Sequence, residues 1–268
     1  MLIDTHAHLT DERYAGAEAI IAAMADDGLE RIVTVGYDLP SSRAAAALAA
    51  AHPAVYFAAG VHPNDTGRLR DGDLDELLAL TRDPKCVAIG EIGLDYHYPD
   101  TDKATQLRWL EAQLELAAQT KLPVVFHIRD AYGDFDAVMR RKIGCLTGGA
   151  VLHCFSGSKE FALHYVDNGF YVSFSGSITF KNAVRLAEVV PAIPADRLLV
   201  ETDCPYLTPH PYRGRRNDSS YMLLTAEKAA ELRGISVERL CSVTLENAAR
   251  LFPRTGILPP SMNEVTAS

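Results

Sequence analysis

Eight short runs rich in β-branched residues alternate with helically patterned segments almost from end to end, and this alternation limits the fold more than any other feature. The runs cover residues 2–6, 31–36, 55–61, 86–91, 123–127, 150–153, 171–174 and 198–203. Amphipathic stretches lie between them at 15–25, 41–51, 74–80, 105–120 and 182–190, and two more follow at 221–233 and 236–251. Parallel strands need a crossover between them, which a helix supplies, so repeated βα units predict a parallel sheet. Eight units suggest a (β/α)8 TIM barrel of metal-dependent hydrolase type, whose strands all end at one face. A doubly wound open sheet is the other architecture that the alternation allows.

With 268 residues, 48% of them hydrophobic and 23% charged, the chain can bury a full core. No Pro/Ser-rich linker or repeat interrupts it, so one domain is expected over 1–258, followed by a polar tail at 259–268. Local signals mark helix ends: a serine after Pro40 is expected as an N-cap, and Gly28, Gly144, Gly169 and Gly234 sit where helices should stop. The opening MLIDTHAHLTDE lacks the basic and apolar regions of a signal peptide, and no apolar stretch is long enough to span a bilayer. A cytoplasmic enzyme without a membrane partner or an obligate protein partner is expected. Five scattered cysteines without a CxxC pattern read as reduced, mostly buried small hydrophobes. A net charge of −9 argues against an extended basic face for a long duplex, though not against phosphates held locally.

A barrel predicts where chemistry should lie. The first run ends in Asp4-Thr5-His6-Ala7-His8, and strand alternation points His6 and His8 the same way. Glu91 closes the fourth run, His127 the fifth, His153 the sixth and Asp203 the eighth. Each would carry an ionisable group into a poorly hydrated place, where it needs a partner. Any one of them could be a hydrogen-bonded core residue; six at the same end of five strands point to metal ligation. Four histidines and two carboxylates exceed the needs of one ion and can furnish two. The expected division is His6, His8, Glu91 and Asp203 on one cation, and Glu91, His127 and His153 on the other, with Glu91 bridging. Glu201, two residues before Asp203, should face the same way and accept a histidine N–H.

These residues lie in DTHAHL, GVHP, EIGLDY, LPVVFHIRDA, HCFSG, ETDCPYLTP, GRRN and ENAARLF. In that order and spacing, the strings resemble the TatD family of metal-dependent deoxyribonucleases over most of the chain. The resemblance implies a (β/α)8 barrel and the same six metal ligands. It also implies that His62 sits beside the scissile phosphate, that Arg129 contacts a phosphate, and that Arg213, Arg215 and Arg216 form a phosphate-binding cluster at the functional face. One departure stands out: the family's proline after the acidic residue of the last loop is missing, since Asn217 and Asp218 are followed by Ser219 and Ser220. A less rigid approach to the next helix is expected there.

The implied reaction is hydrolysis of a phosphodiester in DNA, at single strands or 3′ ends, with Asp203 as general base and Glu201 and His62 orienting the site or assisting proton transfer. Imidazole-rich ligation favours zinc or manganese, whereas the family is described as magnesium-dependent, so two divalent ions among zinc, manganese and magnesium are expected. The same centre could instead cleave an ester or amide, as a D-aminoacyl-tRNA deacylase does. A non-enzymatic scaffold that keeps the barrel and metal for stability is the third reading.

Overall fold

The computed structural model describes residues 1–98 and 101–257; the tail expected at 259–268 lies outside them. All eight strands form, and they join one parallel sheet in chain order: β1 (Leu2–Ala7), β2 (Leu29–Val35), β3 (Val55–Ala59), β4 (Cys86–Asp95), β5 (Val124–Arg129), β6 (Ala150–Leu152), β7 (Tyr171–Phe174) and β8 (Leu198–Val200). Helices α1 (Glu18–Ala23), α2 (Leu39–Ala51), α3 (Asp73–Leu80), α4 (Lys103–Thr120), α5 (Tyr132–Lys142), α6 (Lys159–Asp167) and α7 (Val184–Val189) fall between successive strands, and α8 (Met222–Arg233) and α9 (Val237–Leu251) follow the last. The fold is the (β/α)8 barrel rather than the open sheet. No helix among the described residues is long and apolar enough to cross a membrane.

The barrel closes through the segment that carries Asp203. Ala7 pairs with Cys204, the Asp203 N–H donates to the His6 carbonyl at 2.9 Å, and the His8 N–H donates to the Cys204 carbonyl at 2.7 Å. The seam therefore fixes the spacing of His6, His8 and Asp203 through the backbone itself.

Strand ends differ from the sequence-based expectation. β4 runs on to Asp95 and β5 to Arg129, because their pairing continues through Gly93 opposite His127 to Asp95 opposite Arg129. β8 stops at Val200, and Asp203 adopts a left-handed φ of 55° as the chain turns across to β1. The serine expected as N-cap of α2 is instead its third helical residue, closing a capping box: the Asp38 side chain accepts from the Ser41 N–H, and the Ser41 hydroxyl accepts from the Asp38 N–H. Pro40 fits that first turn because it has no N–H to satisfy. Helices α5 and α6 escaped the periodicity reading; each buries only three residues, a narrow stripe in a polar surface. Gly234 does end α8, in the left-handed conformation. All five cysteines are free, with Cys86 and Cys204 buried, Cys154 and Cys241 partly buried and Cys145 exposed.

At the opposite end from Asp203, the last turn of α9 and the chain after it cross the barrel. Asn247 donates to the carbonyls of Ala195 and Leu198, at the start of β8. Arg254 donates to the carbonyls of Thr81, Asp83 and Cys86, where β4 begins. Phe252, fully buried between these anchors, joins a cluster with Ile3, Val33, Val125 and Leu199 from the strands.

Candidate metal centre

Six side chains from five strand ends meet at one face, as the spacing predicted. His6 Nε2 lies 3.3 Å from His8 Nε2, and Asp203 Oδ1 lies 3.8 and 3.5 Å from these two nitrogens. His127 Nδ1 lies 3.3 Å from His153 Nε2. Glu91 stands between the two groups: Oε1 faces His8 at 3.5 Å, while Oε2 is 2.9 Å from His153 Nε2, 3.6 Å from His127 Nδ1 and 3.9 Å from His6 Nε2. Donor atoms each roughly 2.0–2.2 Å from one zinc-like ion stand about 3.3–3.6 Å apart in a tetrahedron. The two groups, with separations of 2.9–3.9 Å, bracket that spacing, and imidazole nitrogens mixed with carboxylate oxygens suit a divalent ion of this kind.

Behind these atoms, three of the four imidazoles have their second nitrogen against an acceptor. His8 Nδ1 donates to the Val35 carbonyl at 3.0 Å, and His127 Nε2 donates to Asp95 Oδ2 at 3.0 Å. His153 Nδ1 faces Glu201 Oε1 at 3.4 Å, and the same oxygen accepts from the Cys154 N–H at 2.5 Å. Such partners fix the tautomer and turn the other nitrogen's lone pair towards Glu91. His6 Nδ1 is buried without a hydrogen-bond partner, and His153 Nδ1 faces Glu201 without a hydrogen bond of good geometry.

Two of the supporting acids escaped sequence reasoning. Asp95 lies two pleats beyond Glu91 on the same strand, and its alternation was a usable signal once β4 is allowed to run that far. It accepts from the His97 N–H at 2.8 Å, and Gln106 clamps its backbone with bonds of 2.8 Å to both N–H and carbonyl. Asp4 is fully buried; it accepts from the Thr202 N–H at 3.0 Å, the Thr202 hydroxyl at 2.6 Å and the Ser219 hydroxyl at 2.7 Å. Ser219 thus holds a place in the network that ties β1 to the Asp203 segment. The last loop is better pinned than expected without its proline: Asn217 Nδ2 donates to the carbonyls of Thr202 and Tyr206, and the Asp218 side chain accepts from the Ser220 N–H.

Electrostatics divide the site into charged and neutral members. Burial opposes ionisation of Glu91, but the His62, His153 and His127 imidazoles outweigh it and hold its carboxyl well below the usual range. Burial also works against Asp95, yet the bond from His127 prevails and lowers its pKa to about 2. Burial, aided by His127, lowers His62 to about 3, so that imidazole is neutral around pH 7. Its Nδ1 accepts from the Asn64 N–H at 3.2 Å, which leaves the proton on Nε2. Burial raises Asp4 to about 6.

The centre opens into a cavity of about 780 Å3, lined by His8, Glu91, His127, His153 and Asp203. His62 lies on its wall with its ring edge-on to His127 at 4.3 Å. Arg129 lines it too, and its guanidinium forms no ion pair among the described residues. Glu201 is 1% exposed and stands behind His153. Arg213, Arg215 and Arg216 are exposed and do not line the cavity. Their flat guanidinium faces lie instead over Phe180, Tyr212 and Tyr14, at 3.8, 5.3 and 4.8 Å, where stacking on a ring holds them. The cavity's second arginine is Arg13, which sequence reasoning did not single out.

The family described as TatD related DNase matches residues 3–253. The chain belongs to that family. Among its TatD relatives, the metal-dependent hydrolase YabD of Bacillus subtilis is 44% identical, with 94% of this chain and 99% of that one covered. The 3′-5′ ssDNA/RNA exonuclease TatD of Salmonella typhimurium is 34% identical over 94% of this chain and 98% of that one. The crystal structure of the TatD homologue YJJV from Escherichia coli superimposes with a TM-score of 0.88 at 30% identity, covering 94% and 98% of the two chains. Like the TatD family it belongs to, this chain is a metal-dependent hydrolase, an enzyme acting on ester bonds.

Proposed function

We propose that this TatD-family hydrolase shortens single-stranded nucleic acid by cleaving phosphodiester bonds, with two divalent cations held side by side by its strand ends. The observation that carries the reading is the position of the Glu91 carboxylate, one oxygen turned to each of two donor groups, on the wall of a cavity large enough for a nucleotide. His6, His8, Glu91 and Asp203 would hold one cation, and Glu91, His127 and His153 the other. Bound there, divalent cations acidify water to yield hydroxide near neutral pH and neutralise the phosphoryl oxygens.

The remaining roles follow from the side chains. Asp203 lines the cavity with its side chain 12% exposed, so it can take a proton from water at this face and serve as general base. Glu201 and Asp95 act one step back, holding His153 and His127 in the ligating tautomer. His62, neutral with its proton on Nε2, suits a hydrogen-bond donor to a phosphoryl oxygen better than a proton shuttle. Arg129, which forms no ion pair among the described residues, offers its guanidinium fork to a phosphate. The imidazole-rich donors favour tightly held zinc or manganese, with magnesium or manganese supporting turnover. Single-stranded DNA or RNA, attacked from the 3′ end, is the substrate class named for the exonuclease relatives.

The test is incubation of the purified protein with end-labelled single-stranded DNA, single-stranded RNA, duplex DNA and an aminoacylated RNA, with and without added divalent metal. Shortening of the single strands from the 3′ end, lost on chelation and abolished by Asp203→Ala or His127→Ala in variants that stay folded, is expected. Deacylation of the RNA with the DNA left intact would replace this reading by the ester-hydrolase one.

A further inference from the structure

Two tyrosines at the cavity rim have large exposed faces and no core to fill: Tyr206 is 46% and Tyr98 47% exposed. Both are held in place rather than loose. The Tyr206 N–H donates to the Asp203 carbonyl at 3.0 Å, and its ring stands edge-on to His8 at 6.0 Å. The Tyr98 N–H donates to Asp95 Oδ1 at 3.4 Å, the carboxylate that orients His127. Tyr206 therefore flanks the His6, His8 and Asp203 group, and Tyr98 flanks the Glu91, His127 and His153 group.

An arginine lies against each ring. The Arg13 guanidinium sits 3.9 Å from the Tyr206 centroid, and its Nε and Nη2 each donate to the Asp11 carboxylate at 2.8 Å. Asp11 is 7% exposed, so Arg13 is a clamped backing plate with its fork already filled. Arg129 lies 5.1 Å from the Tyr98 centroid and makes no ion pair with any other described residue. A cation behind a ring stiffens it and leaves the opposite face for a flat ligand. Flat rings on both sides of the centre can receive successive bases of an unpaired strand, and stacking accepts any base because each has a π-face.

Resting on the nuclease reading above, we propose that Tyr206, backed by Arg13 and Asp11, and Tyr98, backed by Arg129, are stacking platforms for the two nucleobases on either side of the scissile phosphodiester. Bases paired in a duplex cannot lie on them, so the platforms also select unpaired strands.

The experiment pairs protein and substrate deletions. Short single-stranded oligonucleotides carry a tetrahydrofuran abasic residue on the 5′ side of the cleaved linkage, on the 3′ side, on both or on neither, and KM and kcat are measured for wild type, Tyr206→Ala, Tyr206→Phe, Tyr98→Ala and Tyr98→Phe. Each alanine variant should raise KM for the fully base-bearing strand by about 5- to 150-fold, from a stacking worth of roughly 1–3 kcal/mol per base. That penalty should collapse when the base on its own side is absent, one tyrosine answering to one side, and each phenylalanine variant should restore the wild-type KM. A penalty that persists on the abasic strand, or none on the normal strand, overturns the platforms while wild-type cleavage keeps the nuclease reading. Failure of the wild type to cleave any of these strands overturns both.

Discussion

The carboxylate of Asp95 lies 3.0 Å from His127 Nε2, and an amide of the same shape removes its charge without opening a cavity. Asp95→Asn should weaken metal binding or turnover by roughly 10- to 100-fold, the usual consequence of losing an acid behind a ligating histidine, while the melting temperature of the metal-free protein stays close to wild type. Calorimetric titration of metal-free protein with zinc, alongside turnover, checks this; unchanged affinity and rate would remove Asp95 from the centre. The candidate ligands were legible because each follows an apolar run, a pattern visible one strand at a time. Asp11, Arg13 and Tyr206 were not, because nothing in DER near the start points to a ring close to residue 206. The arginines at 213, 215 and 216 show the converse: the family resemblance placed them at a phosphate, and the folded surface sets them over aromatic rings outside the cavity.

Among the elements, β4 is the most constrained, and its glycines show why EIGLD reads as it does. A Cβ on Gly93 would sit 1.8 Å from the His127 carbonyl oxygen, at a φ of 155° that side chains avoid. The obstacle is backbone, so Gly93→Ala must push β5 and its histidine outward. It should cost on the order of 2–4 kcal/mol and reduce bound metal, read from the denaturant midpoint and elemental analysis. Gly72→Ala, where a Cβ meets nothing, is the control that should change neither. Strand starts were readable from apolar runs, whereas strand ends depended on pairing partners: β8 stops short because its continuation bonds to β1 instead.

Across the whole molecule, the candidate metal centre lies at one end of the barrel and the apolar cluster around Phe252 at the other. Phe252→Ala should destabilise by about 3–5 kcal/mol, as for a large ring removed from a core, yet leave activity per folded molecule unchanged; a lower specific activity with normal melting would contradict this. At the other end, four imidazoles and two acids share one pocket, so cations that bind only the folded state must stabilise it. Chelation should lower the melting temperature, by about 2.7 kcal/mol of stability for ion present at a hundredfold over its dissociation constant, and zinc or manganese should restore it. The sequence by itself determined the barrel and the six residues at its mouth, since alternation of apolar runs and the residue that ends each run are local properties. Tertiary structure alone decided which nitrogen of each histidine faces Glu91, how Asp95 and Asp4 brace the centre, and which arginines reach the cavity. Those outcomes depend on distances between atoms far apart along the chain, and only the closing of the barrel between β1 and the Asp203 segment sets them.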